Sequence, residues 1–227
     1  MSLYWSEDEA GAVQPGPRLH ALVVAVGGYP YLKGPQSTVE GRRFGLSPLT
    51  TTLHTGRYIA EWLTGGLPGF PLPEYKLSGL KLKNPKGYHN PDIPLGTVEV
   101  VQSPAPPDPA DAPSKLTRLD GKSVDIGPAT MAGIDAAFNA WYARCHARAD
   151  NVALFYFAGH GLGIPPAQFL LASDFQHPQK IDPWENAIDF TRLRLGMWKC
   201  QARTQLFFVD ACRERLFEAA MHVDPQG

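Results

Sequence analysis

Three stretches of this chain are almost continuously apolar: His20-Ala21-Leu22-Val23-Val24-Ala25-Val26, Asn151-Val152-Ala153-Leu154-Phe155-Tyr156-Phe157-Ala158 and Gln205-Leu206-Phe207-Phe208-Val209. A strand with one wet face alternates apolar and polar residues. Runs without alternation predict strands of a parallel sheet covered on both faces. Thr97-Val98-Glu99-Val100-Val101 adds a strand, and 168–172 a short one ending in Ser173-Asp174. Between these runs the period lengthens to that of a helix. Ser47-Pro48 predicts a helix start, with serine as N-cap and proline at the first helical position. Leu49, Leu53, Gly56, Ile59 or Ala60, and Leu63 give its stripe, and Gly65-Gly66 its end. A second helix starts at Pro128-Ala129-Thr130, with Thr130 as N-cap and Ile134, Ala137, Phe138 and Trp141 as its buried face. A third spans 191–200, with Leu193 and Met197 inward. The order β-α-β-α-β-(β)-α-β predicts an α/β fold: a mostly parallel sheet with helices on both faces.

The polar segments set the organisation. Residues 1–17 read as a leader with several turn formers, and 18–227 as one domain carrying proline-rich inserts at about 66–94 and 103–127. The first insert is expected to hold a short strand or hairpin near 75–83. The second begins as a low-complexity solvated loop, Pro104-Ala105-Pro106-Pro107-Asp108-Pro109-Ala110-Asp111-Ala112-Pro113.

Composition narrows the function classes. A hydrophobic fraction of 44% and a charged fraction of 19% are those of an ordinary globular protein, and 227 residues suffice for a large core. A net charge of −1 gives no reason to expect nucleic acid or an anionic membrane as partner. No signal-type or membrane-length apolar run is present, so a cytoplasmic location is expected. Three cysteines, Cys145, Cys200 and Cys212, without a Cys-x-x-Cys pair argue against a disulfide framework and a structural zinc site. Cys145 and Cys200 fall on helical faces and read as structural; no cofactor or metal is expected.

The chemistry is concentrated where two of the apolar strands stop. The first runs into Gly159-His160-Gly161 and the second into Asp210-Ala211-Cys212, which puts a base and a thiol 52 positions apart at strand ends. In an open α/β sheet the carboxyl ends of strands are where ligands bind. A thiol attacks as thiolate and needs a base, which His160 supplies if the strands are neighbours. The glycines let a substrate approach the backbone. The N–H groups of Gly161 and Cys212 are the natural oxyanion donors.

Tyr156-Phe157-Ala158-Gly159-His160-Gly161 with Asp210-Ala211-Cys212 resembles the caspase-like cysteine peptidases: caspases, metacaspases, paracaspases and their bacterial relatives. The first strand and the Pro128-Ala129-Thr130 helix start extend the likeness over most of 19–215. The resemblance implies a three-layer caspase-like sandwich, a His160–Cys212 dyad, an oxyanion hole at Gly161 and Cys212, and a protein or peptide substrate. The caspase signature has glutamine before Ala-Cys, then glycine after the next residue; here Asp210 and Glu214 stand in those places. An aspartate two before the cysteine is the metacaspase pattern and implies Arg or Lys at P1, since a carboxylate in a pocket favours a cation. Asp174 is a second candidate for that S1 pocket. Only 15 residues follow Cys212, whereas family members continue with about two strands and a helix. The expectation is that the small-subunit part is missing: the chain is a large-subunit fragment, or the rest is supplied by a separate partner or a further segment. Bacterial relatives act in stress or anti-phage defence, which implies regulated activation by an upstream partner.

Other readings stand beside this one. A lone strand-end cysteine or histidine is more often a small buried hydrophobe or a satisfied polar group. A relative that keeps the fold without catalysis would be a scaffold or regulatory binding module. A zinc hydrolase would use His160 and Cys212 as ligands. Gly159-His160-Gly161-Leu162-Gly163 lacks both the GxGxxG pattern and the lysine of a phosphate loop. No acidic cluster supports calcium binding.

Overall fold

The computed structural model describes residues 2–10, 15–33, 36–69, 76–77, 80–81, 86–104, 114–164, 166–182, 184–212 and 214–215. In chain order its elements are β1 (Leu3–Ser6), β2 (Leu19–Val26), α1 (Val39–Arg43), α2 (Thr52–Thr64), β3 (Lys76–Leu77), β4 (Leu80–Lys81), β5 (Leu95–Ser103), β6 (Ser114–Thr117), β7 (Ser123–Ile126), α3 (Met131–His146), β8 (Val152–Ala158), β9 (Gly161–Ile164), β10 (Ala167–Leu171), β11 (Ala187–Asp189), α4 (Phe190–Met197), β12 (Thr204–Asp210) and β13 (Glu214–Arg215).

The main sheet has the order β1-β5-β2-β8-β12. Its last four strands are parallel, and β1 joins antiparallel at one edge. β2 is buried at every position, as its unbroken apolar run requires. Alternate residues feed two cores. Leu22, Val24, Phe155 and Phe157 pack with α3, and α4 closes the same side; Ala21, Val23, Leu154 and Tyr156 face α2. Helices on both faces of a mostly parallel sheet make the three layers expected. α3 is built as its sequence dictates: Thr130 caps it by accepting the Gly133 N–H, and Ile134, Ala137, Trp141 and Cys145 are its buried face. Trp141 is fully buried, and its indole N–H donates to the His20 carbonyl at 2.9 Å, which removes the cost of burying it.

Four features differ from the sequence expectations. Within the stretch read as a leader, Leu3–Ser6 form β1, and Tyr4 and Trp5 are buried against β5. Two aromatics in a short run were enough to outweigh the polar residues around them. Ser47-Pro48 does not start a helix: the Leu49 N–H donates to Gly27 at the end of β2, and α2 begins at Thr52. α4 begins one residue before the predicted 191 and ends at Met197, capped by Asp189 accepting the Arg192 N–H. Finally, β9, β10, β11 and β13 form a second sheet in the order β11-β10-β9-β13, and β6 and β7 a hairpin in the second insert. The first insert does hold a hairpin, β3–β4. The proline-rich run at 105–113 lies outside the described residues. Among the described residues, no helix is long and apolar enough to cross a membrane.

Candidate active site

The strand ladder sets the site. β8 and β12 are neighbouring parallel strands paired from Val152↔Thr204 to Ala158↔Asp210. His160 and Cys212 therefore each stand two residues past the last pair, on adjacent strands about 4.8 Å apart. One further rung ties the exits together, with the Gly159 N–H donating to the Asp210 carbonyl at 3.2 Å. Gly161, which opens β9, packs directly on the Ala211-Cys212 segment. A Cβ there would meet the Cys212 carbonyl oxygen at 2.5 Å and the Ala211 methyl at 3.1 Å, so only glycine fits. Just beyond, β13 pairs in parallel with β9, matching Glu214 to Leu162. Cys212 is exposed, whereas Cys145 and Cys200 are buried. Burial pushes the Cys145 thiol far up, which leaves it inert as a nucleophile.

His160 is held at several points. Its main-chain N–H donates to the Tyr29 hydroxyl at 2.7 Å, and its carbonyl accepts the Leu171 N–H at 3.0 Å. Its ring Nε2 lies 2.7 Å from the Ser47 carbonyl oxygen. A carbonyl only accepts, so Nε2 carries the proton, and Nδ1 is the acceptor of the neutral ring. The Ser47 and Tyr29 contacts were not legible in the sequence. Residue type suggests a helix cap at Ser47, whereas its role here comes from its main chain, which carries no residue-type signal.

The two acidic candidates stand in different places. Asp210 is exposed at the end of β12, in phase with Leu206 and Phe208 on the α2 side, and the Tyr156 hydroxyl lies 3.5 Å from its Oδ2. Burial first, then the Asp210 charge, pushes the Tyr156 phenol up to about 12. Asp174 is on the α3 side. Its Oδ1 accepts the Met131 N–H at 2.9 Å, at the positive end of α3, and burial raises its carboxyl. The structure thus brings His160, Gly161, Asp210 and Cys212 to one end of the sheet and engages Asp174 in capping a helix. Among the described residues, no group of three or more His, Cys, Asp or Glu side chains is arranged to hold a metal ion.

On the α2 side, the face of β12 is open, towards the strand starts at Val152 and Thr204 and away from His160 and Cys212. A cavity of about 530 Å³ with almost wholly apolar walls lies among Trp62, Tyr88, Leu154, Tyr156, Leu206 and Phe208. Trp62, Leu206 and Phe208 are all exposed.

Comparison with known proteins points to a family and to a relative. A family model described as "Caspase domain" matches residues 110–227, just over half of the chain, and its span includes both strand ends. An uncharacterized protein, y4kE, of Sinorhizobium fredii (strain NBRC 101917 / NGR234) is 26% identical over 156 residues, 69% of this chain. The matched stretch is 41% of that relative, so the chain spans less than half of its length.

Proposed function

The chain belongs to the caspase-domain family, and from that premise we propose that it is a cysteine endopeptidase acting through His160 and Cys212, with preference for Arg or Lys at P1. The observation that carries this reading is the matched overhang of the two residues past the Ala158↔Asp210 pair, with Nε2 of the histidine tied to Ser47. His160 Nδ1 takes the thiol proton, and the Cys212 sulfur attacks the scissile carbonyl. The oxyanion is held by the Gly161 and Cys212 N–H groups. The protonated histidine then delivers its proton to the leaving amine, and water hydrolyses the acyl-enzyme. For the P1 cation the reading relies on Asp210, which is exposed beside the site, rather than on Asp174, whose carboxylate caps α3.

Fluorogenic peptides ending in Arg, Lys or Asp test this directly. Turnover is expected for Arg and Lys. Cys212→Ala and His160→Ala should each lower kcat/KM by about 10³-fold or more, and Asp210→Asn should lower it for basic substrates by about 10–100-fold. A preference for Asp at P1 removes the Asp210 argument, and unchanged turnover in Cys212→Ala removes the catalytic assignment.

The exposed apolar face of the edge strand β12 supports a further part of the proposal, that a C-terminal small-subunit part or a separate polypeptide covers this edge of the sheet and makes turnover subject to activation. The same face also favours a second reading, a caspase-like scaffold that binds a partner without catalysis. A thiol-reactive peptide electrophile separates the two: a peptidase is labelled selectively at Cys212, a scaffold is not.

A further inference from the structure

Tyr29 lies three residues past the end of β2 and is fully buried. Its hydroxyl oxygen accepts the His160 main-chain N–H at 2.7 Å, and its ring centroid is 4.7 Å from that of the imidazole, with the planes tilted by 47°. Burial drives its phenol far above the ordinary value, so the oxygen stays neutral and its ring unchanged across any working pH. The chain beside it is shaped to this side chain. A Cβ at Gly159 would come within 2.8 Å of the Tyr29 oxygen and 2.9 Å of the Phe157 ring, so glycine is required for the strand to pass.

These contacts complement the others on His160. The Leu171 bond fixes the carbonyl side of its main chain, and Ser47 fixes Nε2. Neither of those two opposes a swing of the ring about a line running from its Cβ to Nε2, and such a swing displaces Nδ1. An aromatic ring in contact with the imidazole opposes the swing, and a hydrogen bond to the main-chain N–H fixes where the line begins. We infer that Tyr29 is a positioning residue for His160, holding its main chain through the hydroxyl and its ring by contact so that Nδ1 faces Cys212. The assignment rests on the Cys-His reading above. It assigns Tyr29 no contact with substrate, so its loss acts on turnover and not on binding.

Steady-state kinetics with an Arg- or Lys-terminated fluorogenic peptide, alongside thermal melts, test this on the full chain. The variants are Tyr29→Phe, which removes only the hydroxyl, and Tyr29→Leu, which also removes the flat ring. A displacement of about 1 Å in a reacting group costs about 10²-fold. The expected result is a fall in kcat of about tenfold for Tyr29→Phe and about 10²-fold for Tyr29→Leu, with KM within about twofold of wild type. Tyr29→Phe, which keeps the ring and nearly all the volume, should retain the wild-type melting temperature to within a few degrees. The inference is overturned if both variants keep wild-type kcat, if KM rises in step with the loss, or if Tyr29→Phe loses activity only in proportion to lost folded protein. Failure of the underlying reading looks different: a wild-type chain without turnover, or a Cys212→Ala variant that retains it, removes the dyad and this inference together.

Discussion

His20 illustrates how a single side chain makes the stability of this fold depend on pH. It sits at the start of β2, buried, with Nδ1 2.9 Å from the Thr97 hydroxyl and its ring so close to Gly96 that a Cβ there would lie 2.7 Å from Cε1. Burial first, then the nearby Arg144 and Arg18 charges, lower its pKa from 6.5 to about 4. Between those values the unfolded chain binds a proton that the folded chain refuses. Stability is therefore full above pH 6.5 and declines as pH falls towards 4, by up to about 3 kcal/mol. Urea midpoints at pH 7 and pH 4.5 should show this drop, and His20→Asn, which keeps a polar atom near Nδ1, should show a smaller one. An equal drop in both proteins would place the acid sensitivity elsewhere. At this scale the sequence was legible where chemistry depends on residue type. His160, Gly161, Asp210 and Cys212 stood out by their positions at strand ends. Tyr29 did not, because a lone tyrosine after a strand has no signature, and its partner is a main-chain N–H 131 positions away.

Elements were read well where the pattern is long and unambiguous. β2, β8 and α3 appear almost where their apolar period put them, and Thr130 caps as expected. The start of α2 was misread because a Ser-Pro step satisfies the local rules for a helix start while a long-range bond, Leu49 N–H to Gly27, holds the segment in a loop. β1 and the other strands of the second sheet were not predicted, although the 168–172 strand is there as β10, for a related reason: short strands carry too few residues for a period, and their stability comes from pairing with segments distant in sequence. Two glycines show how packing reverses a propensity. Gly56 of α2 lies so close to β2 that a Cβ would be 2.6 Å from the Ala25 Cβ, whereas a Cβ at Gly196 of α4 meets nothing within 4 Å. Alanine gains about 1 kcal/mol of helix propensity at either site, but overpacking costs about 1–3 kcal/mol at the first. Thermal melts should therefore show Gly56→Ala destabilised and Gly196→Ala unchanged or stabilised. A Gly56→Ala protein as stable as wild type would mean that α2 shifts on the sheet at little cost.

At the scale of the molecule, the α/β class and the layering followed from the order of elements, and the family match agrees with them. What the sequence did not disclose is which side of the sheet is left open, because Leu206 and Phe208 are as apolar as the covered residues of β8. Exposed side chains of this size contribute little to folding. Phe208→Ser should leave the unfolding free energy within about 0.5 kcal/mol of wild type and reduce the binding of a hydrophobic dye; a large loss of stability would show that the face is already covered. The pairing of β8 with β12 has one more consequence. The spacing between His160 and Cys212 is set by a ladder of hydrogen bonds, not by the chain that connects them, so the exposed 178–182 loop can be lengthened without retuning it. A single residue inserted inside β12 is a different matter. It would shift the exit by one rung and turn every following side chain to the opposite face. The relative placement of His160 and Cys212 is in this sense tolerant of added length in that loop and intolerant of miscounting within either strand.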